Sequence, residues 1–155
     1  MKGFNVAELG HVVNILPPVD IGGVAKVSDY FSLKNYAHVD IIITCGVTGN
    51  AATITVEESD DASGSSATAI AFDYYQETTA AGDTLAARAA ATTAGISTGT
   101  NDSTTIVISI DAQKLTDGYP YLVVKATNAA ANLISMVAIQ SGSRYASGIT
   151  PTAIT

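Results

Sequence analysis

The chain has 155 residues with seven Lys and Arg against fourteen Asp and Glu, a net charge of −7. This leaves no basic footprint for neutralising nucleic-acid phosphates or for seating on an anionic membrane, and a chain of this length forms a single domain with a real core. Charged residues make up only 14%, against about 25% in ordinary soluble domains, so the surface is largely uncharged or covered by other subunits.

Residues 1–20 read as an N-terminal arm with a first strand at His11 to Leu16, stopped by Pro17-Pro18, because two residues without N–H donors do not fit a central ladder. One Lys and no long apolar run at the N-terminus exclude a standard signal peptide, and no stretch approaches the ~20 apolar residues of a membrane helix. The protein is expected to be made and used without export through a signal. Val27 to Leu33 alternates, placing Val27, Asp29, Phe31 and Leu33 on one face. Val39 to Val47 and Thr53 to Glu57 read as strands joined by a Thr48-Gly49-Asn50 hairpin turn. Ile41, Ile42 and Ile43 make the first of these apolar on both faces. Cys45, the only cysteine, lies inside it as a small hydrophobe.

Glu58 to Ser66 is a polar loop, and Ala67 to Glu77 a strand with Ile70, Phe72 and Tyr74 on one face. Residues 78–102 are rich in Ala, Thr and Gly. Asp83 can cap one short helix through Ala91, or the stretch is a long loop of the kind usually reserved for interaction.

Thr104 to Ile110 alternates with Ile106, Ile108 and Ile110 inward. A single turn over Asp111 to Leu115, an Asp117-Gly118 turn and a strand from Tyr119 to Thr127 follow. This stretch resembles the tyrosine corner of immunoglobulin-like sandwiches, with Tyr121 as the corner residue and Tyr119 as its rival. If Tyr121 points inward, Leu122 and Val124 form an outward apolar face awaiting a partner. Leu133 to Ile139 is the last strong strand, and residues 146–155 form a C-terminal tail. The sum is an all-β, single-domain sandwich, immunoglobulin-like or jelly-roll-like. It has about seven or eight strands over 21–145 and at most one short helix.

Chemistry-bearing patterns are few. Gly95-Ile96-Ser97-Thr98-Gly99 matches G-x-S-x-G, but no strand–helix elbow surrounds it and both histidines lie upstream. Glu57, Glu58, Asp60 and Asp61 lack the frame of a calcium loop and read as a solvated strand end. His11 and His38 are single and read as hydrogen-bonded strand residues, and the sequon Asn101-Asp102-Ser103 has little meaning without a signal peptide. No nucleophile, base and orienter assemble, so no catalytic, metal or cofactor-binding residue is assigned and enzyme activity is not expected.

The opening Phe4-Asn5-Val6-Ala7-Glu8-Leu9-Gly10-His11-Val12-Val13-Asn14-Ile15-Leu16-Pro17-Pro18 and the stretch Tyr30-Phe31-Ser32-Leu33-Lys34-Asn35-Tyr36-Ala37-His38 carry a family likeness. So do Asp117-Gly118-Tyr119-Pro120-Tyr121-Leu122 and the ending Ile139-Gln140-Ser141-Gly142-Ser143-Arg144-Tyr145. Together these resemble small β-rich virion structural proteins of tailed bacteriophages, in particular the head decoration (cement) type. The resemblance implies a noncatalytic protein, often a trimer, that binds the assembled major capsid protein lattice and reinforces it. A tail or neck component of the same particle is an alternative. So is a carbohydrate-binding or adhesion module using Tyr74, Tyr75 or Tyr145 as stacking platforms.

Overall fold

The computed structural model describes residues 5–144 and Ile154. Chain order begins with a one-turn helix α1 (Val6–Leu9), then strands β1 (Gly10–Asp20), β2 (Lys26–Val27), β3 (Phe31–Ser32), β4 (Tyr36–Thr48) and β5 (Thr53–Ser59). It continues with β6 (Thr68–Ala69), β7 (Phe72–Gln76), β8 (Ala89–Ala91), β9 (Ile96–Ser97) and β10 (Thr104–Asp111). A 3-10 turn at Ala112–Lys114 precedes β11 (Tyr121–Ala126) and β12 (Asn132–Ser143). The protein is an all-β sandwich of two antiparallel sheets. One runs β1-β12-β4-β10-β7-β8; the other runs β2-β11-β5-β6, with β3 on β11 and β9 on β5.

Alternation builds the core. Ile106, Ile108 and Ile110 of β10 lie opposite Ile43, Ile41 and Val39 of β4, and Met136 and Ala138 of β12 lie opposite Ile43 and Ile41 from the other side. All of these are buried, and Ile54 and Val56 of β5 with Leu122 and Val124 of β11 close over them from the second sheet. Each fully buried Ile or Leu contributes roughly 1.5–3 kcal/mol, so this isoleucine block is the main source of stability.

Most connections pass from one sheet to the other, and this corrects several sequence expectations. β4 and β5 are not a hairpin. The turn between them carries the chain across the sandwich: β4 pairs with β10 and β12, β5 with β11, and Gly49 N–H donates to Ala131 O at 2.9 Å instead of closing a two-strand ladder. The Ala67 to Glu77 stretch is likewise two strands, β6 on β5 and β7 on β10, because the chain changes sheets at Ile70-Ala71. Val27 to Leu33 is not one strand either: Phe31 and Leu33 are buried while Val27 is exposed, and the edge is split into β2 and β3.

Pro17-Pro18 does not stop the first strand. β1 continues to Asp20 as a sheet edge with one partner, β12, and its register shifts at Asn14/Leu16 and Leu16/Val19. At a bulged edge the missing proline donors leave no ladder bond unmade. The stretch expected as an arm is thus, over its described residues, α1 and the sheet edge.

Residues 78–102 form no helix. Alanines are good helix formers, but nothing on this stretch offers a wide apolar helical stripe, and sheet edges on both sides take the backbone instead. β8 adds to β7, a turn follows at Thr92 to Gly95, and β9 adds to β5 in the other sheet, so the segment straps one side of the sandwich. Ala91 and Ile96 are its buried anchors, and Gln76 Nε2 donates to Ser97 O and Thr98 O, both at 3.1 Å.

Leu122, Val124 and Ala126 face the core, which reverses the expected orientation of β11: Tyr121, Val123 and Lys125 point outward. The corner reading of Tyr121 falls with it. Val123 is nonetheless 0% exposed, flanked on that outer face by Glu57 and by Lys125, whose Nζ pairs with Glu57 Oε2 at 2.6 Å. The tail 146–155 lies outside the described residues apart from Ile154, which bridges to Phe31 at the edge of the second sheet.

Candidate functional site

The feature that the sandwich leaves open is the outer face of the β1-β12-β4-β10-β7-β8 sheet. Register sets Val137, Ile42, Val107 and Tyr75 side by side across four strands, all half-buried. The neighbouring row holds Val12, Ile139, Asp40, Ser109 and Asp73. Four strands at about 4.8 Å spacing make this a platform roughly 15 Å across. Val6 of α1 and Leu85 of the strap overhang it, enclosing a groove of about 580 Å³. Val12, Leu85 and Leu9 are among the exposed large apolar side chains.

One end of this face carries a titratable cluster that sequence reasoning did not foresee. His38 Nδ1 lies 2.7 Å from Asp111 Oδ1, and its Nε2 lies 3.1 Å from Asp40 Oδ1 and 3.3 Å from Ser109 Oγ. The cause is register: Asp111 pairs with His38 and Ser109 with Asp40 across β10 and β4. Nothing in a single sequence announces which residues of two distant strands will be opposed, so the only available signal was the polar residues interrupting an apolar alternation. Burial pulls the His38 proton affinity down, but the hydrogen bonds to Asp111 and Asp40 and their charges outweigh it, and the net shift is upward.

Ser109, His38 and Asp111 thus have the connectivity of a nucleophile, base and orienter, which reasoning from the sequence had not assembled. Their chemistry differs. A general base needs a free Nε2 lone pair, and Asp40 on that nitrogen favours the imidazolium, which has none. Acyl transfer also needs N–H donors aimed at the developing oxyanion. β4 is paired on both sides, and β10 pairs with β4 along its length and with β7 up to Ser109, so most of their backbone donors belong to ladders. The arrangement is a hydrogen-bonded cluster bridging two strands.

The other candidates disperse. Glu57 pairs with Lys125 on the outer face of the second sheet. Glu58 is buried and accepts from Thr116 N–H at 2.8 Å and from the Thr116 hydroxyl, so it is not part of a solvated strand end. Asp60 accepts from Ser66 Oγ, and Asp61 caps its own loop by accepting from Ser63 Oγ at 2.7 Å and from Ser63 and Gly64 N–H at 2.9 Å, which holds its carboxyl below the usual range. The four carboxylates therefore share no partner.

His11 Nδ1 meets Tyr36 Oη at 2.9 Å between β1 and β4. Gly95 to Gly99 spans a turn and β9, with Thr98 Oγ1 accepting from Ala52 N–H at 2.9 Å, so the G-x-S-x-G pattern sits in no strand–helix elbow. Asp102 accepts from Thr48 N–H at 2.6 Å and Asn101 donates to Thr78 O at 2.7 Å, tying off the neck of the strap. Cys45 is buried, and burial pushes its thiol up, away from the reactive thiolate. Tyr75 lies on the open face, Tyr74 packs partly against the core, and Tyr145 lies outside the described residues.

No protein-family model matches the chain, and no curated protein matches it in sequence. Among solved structures the fold is similar to that of the SPBc2 prophage-derived protein YomS. The likeness has a TM-score of 0.47 at 8% identity and covers 85% of this chain and 93% of that one.

Proposed function

We propose that this protein is a noncatalytic virion structural subunit of the head decoration (cement) type, which seats the outer face of its six-stranded sheet on an assembled capsid lattice. The observation that carries the reading is the cross-strand row Val137, Ile42, Val107 and Tyr75, with Val12 49% exposed and Leu85 39% exposed at its margins. Contiguous apolar area of this kind on a sheet face is uncommon unless a partner covers it. The rest of the molecule suits a static role: an isoleucine core and an edge blunted by bulges and prolines. The sequence resemblance to decoration proteins points the same way and favours a trimer at the capsid surface.

Lattice binding makes the stabilisation cooperative, because intersubunit area is buried only when the shell has closed. The test is cosedimentation of the purified protein with assembled tailed-bacteriophage capsids, followed by heating. Binding and raised heat resistance are expected. Capsids that neither bind the protein nor gain heat resistance from it overturn the reading.

A further inference from the structure

At the end of the sandwich where β4 and β11 begin and β5, β10 and β12 finish, the loops enclose a second groove of about 630 Å³. This falls within the ~300–1,000 Å³ typical of small-ligand sites. Its walls are fixed. Glu58, buried beneath the 3-10 corner, accepts from Thr116 N–H at 2.8 Å, and Tyr119 N–H donates to Thr116 O at 2.9 Å. On the other side Leu33 N–H donates to Pro120 O at 2.8 Å and Arg144 N–H to Asn35 O at 2.9 Å. A concavity whose loops are already tied loses little conformational freedom when occupied.

The lining has a chemical bias. Tyr119, which follows the Asp117-Gly118 turn, and Tyr121, which opens β11, both line the groove, and both are half-buried. Lys34 and Arg144 also line it, and neither forms an ion pair among the described residues, whereas Arg88 and Lys114 are held by Asp73 and Lys125 by Glu57. In a chain with only seven cations, two left unpaired in one tyrosine-lined groove are available for an anion. Asp60 and Asp117 also line the groove and supply acceptors.

We propose that this groove binds a short acidic saccharide. The Tyr rings cover the apolar C–H face of a sugar, Asp60 and Asp117 accept its hydroxyls, and Lys34 and Arg144 take its carboxylate. A bare anion leaves the tyrosines unused, and a neutral sugar leaves the cations unused. This site is at the end of the sandwich and independent of the sheet face assigned to the lattice, so either reading can fail alone.

The test is isothermal titration calorimetry of the full chain with trigalacturonate, against maltotriose as the neutral sugar and sodium phosphate as the bare anion. Trigalacturonate is expected to bind at least tenfold more tightly than either control. The double substitution K34A/R144A, on exposed side chains, is expected to lower that affinity at least tenfold with an unchanged melting temperature, and Tyr119→Ala to lower it at least threefold. The proposal is overturned if trigalacturonate gives no heat, if phosphate binds as tightly, or if K34A/R144A binds like the parent.

Discussion

His38 is where a single side chain reports on the whole outer face. Its proton affinity is raised because two carboxylates, Asp111 and Asp40, outweigh the cost of burial. The imidazolium form is therefore favoured by folding. That contribution is complete below the ordinary imidazole value of about 6.5 and is lost as pH rises through the raised folded value. Melting the protein between pH 5.5 and 8 is expected to show slightly higher stability at the acid end, and His38→Gln to flatten that slope. An unchanged slope in His38→Gln would place the pH dependence elsewhere. Glu58 acts at the same scale with a larger stake, since its buried carboxylate takes both donors of Thr116. Glu58→Ala is expected to cost about 1.5–3 kcal/mol, the range for hydrogen bonds to a charged acceptor. Denaturant titration checks it, and a cost below about 0.5 kcal/mol would mean that water replaces the carboxylate at no loss.

At the scale of elements, two positions separate backbone geometry from burial. Gly95 turns the strap between β8 and β9 at φ +82°, and a Cβ there would meet Ile54 O at 2.1 Å. Both the left-handed conformation and the backbone contact forbid a side chain, so Gly95→Ala is expected to lower stability by more than about 1 kcal/mol. For a domain of this size that is at least roughly 2–4 °C in melting temperature. Leu122 is 0% exposed in the core, so Leu122→Asp buries an unpaired carboxylate and is expected to abolish cooperative folding by circular dichroism.

The longer strands were legible from alternation, β10 above all: Ile106, Ile108 and Ile110 face inward as the pattern requires, whereas the short edge strands β2, β3, β8 and β9 were not. Their partners were not. Thr48-Gly49-Asn50 has hairpin chemistry, yet alternation reads only which face of a strand is apolar, and both β4 and β5 have such a face whether they pair or oppose each other. The orientation of β11 failed for a related reason. Leu122, Val123 and Val124 are all buried, so its period is blurred, and Tyr121 offered a motif in place of a pattern. The His38 cluster depended on the same hidden register.

For the whole molecule, the decisive contrast is between the two sides of one sheet. The inner side of β4 and β10 is packed against the second sheet, while the outer side ends in half-buried Ile42 and Val107, which are opposed in register. A charge on the inner side destroys the fold; a charge on the outer side remains in reach of water. Ile42→Asp combined with Val107→Asp is therefore expected to leave a folded protein, because both carboxylates can stay hydrated at the platform surface. On the lattice the same pair would be buried without counter-charges, a penalty of several kcal/mol and hence a loss of affinity of at least a hundredfold. The measurement is cosedimentation with capsids beside a thermal melt of the free protein. A variant that melts normally and still binds at the parent's affinity would remove this face from the interface. Binding would then have to be sought on the second sheet, where Val123 is already covered within the subunit.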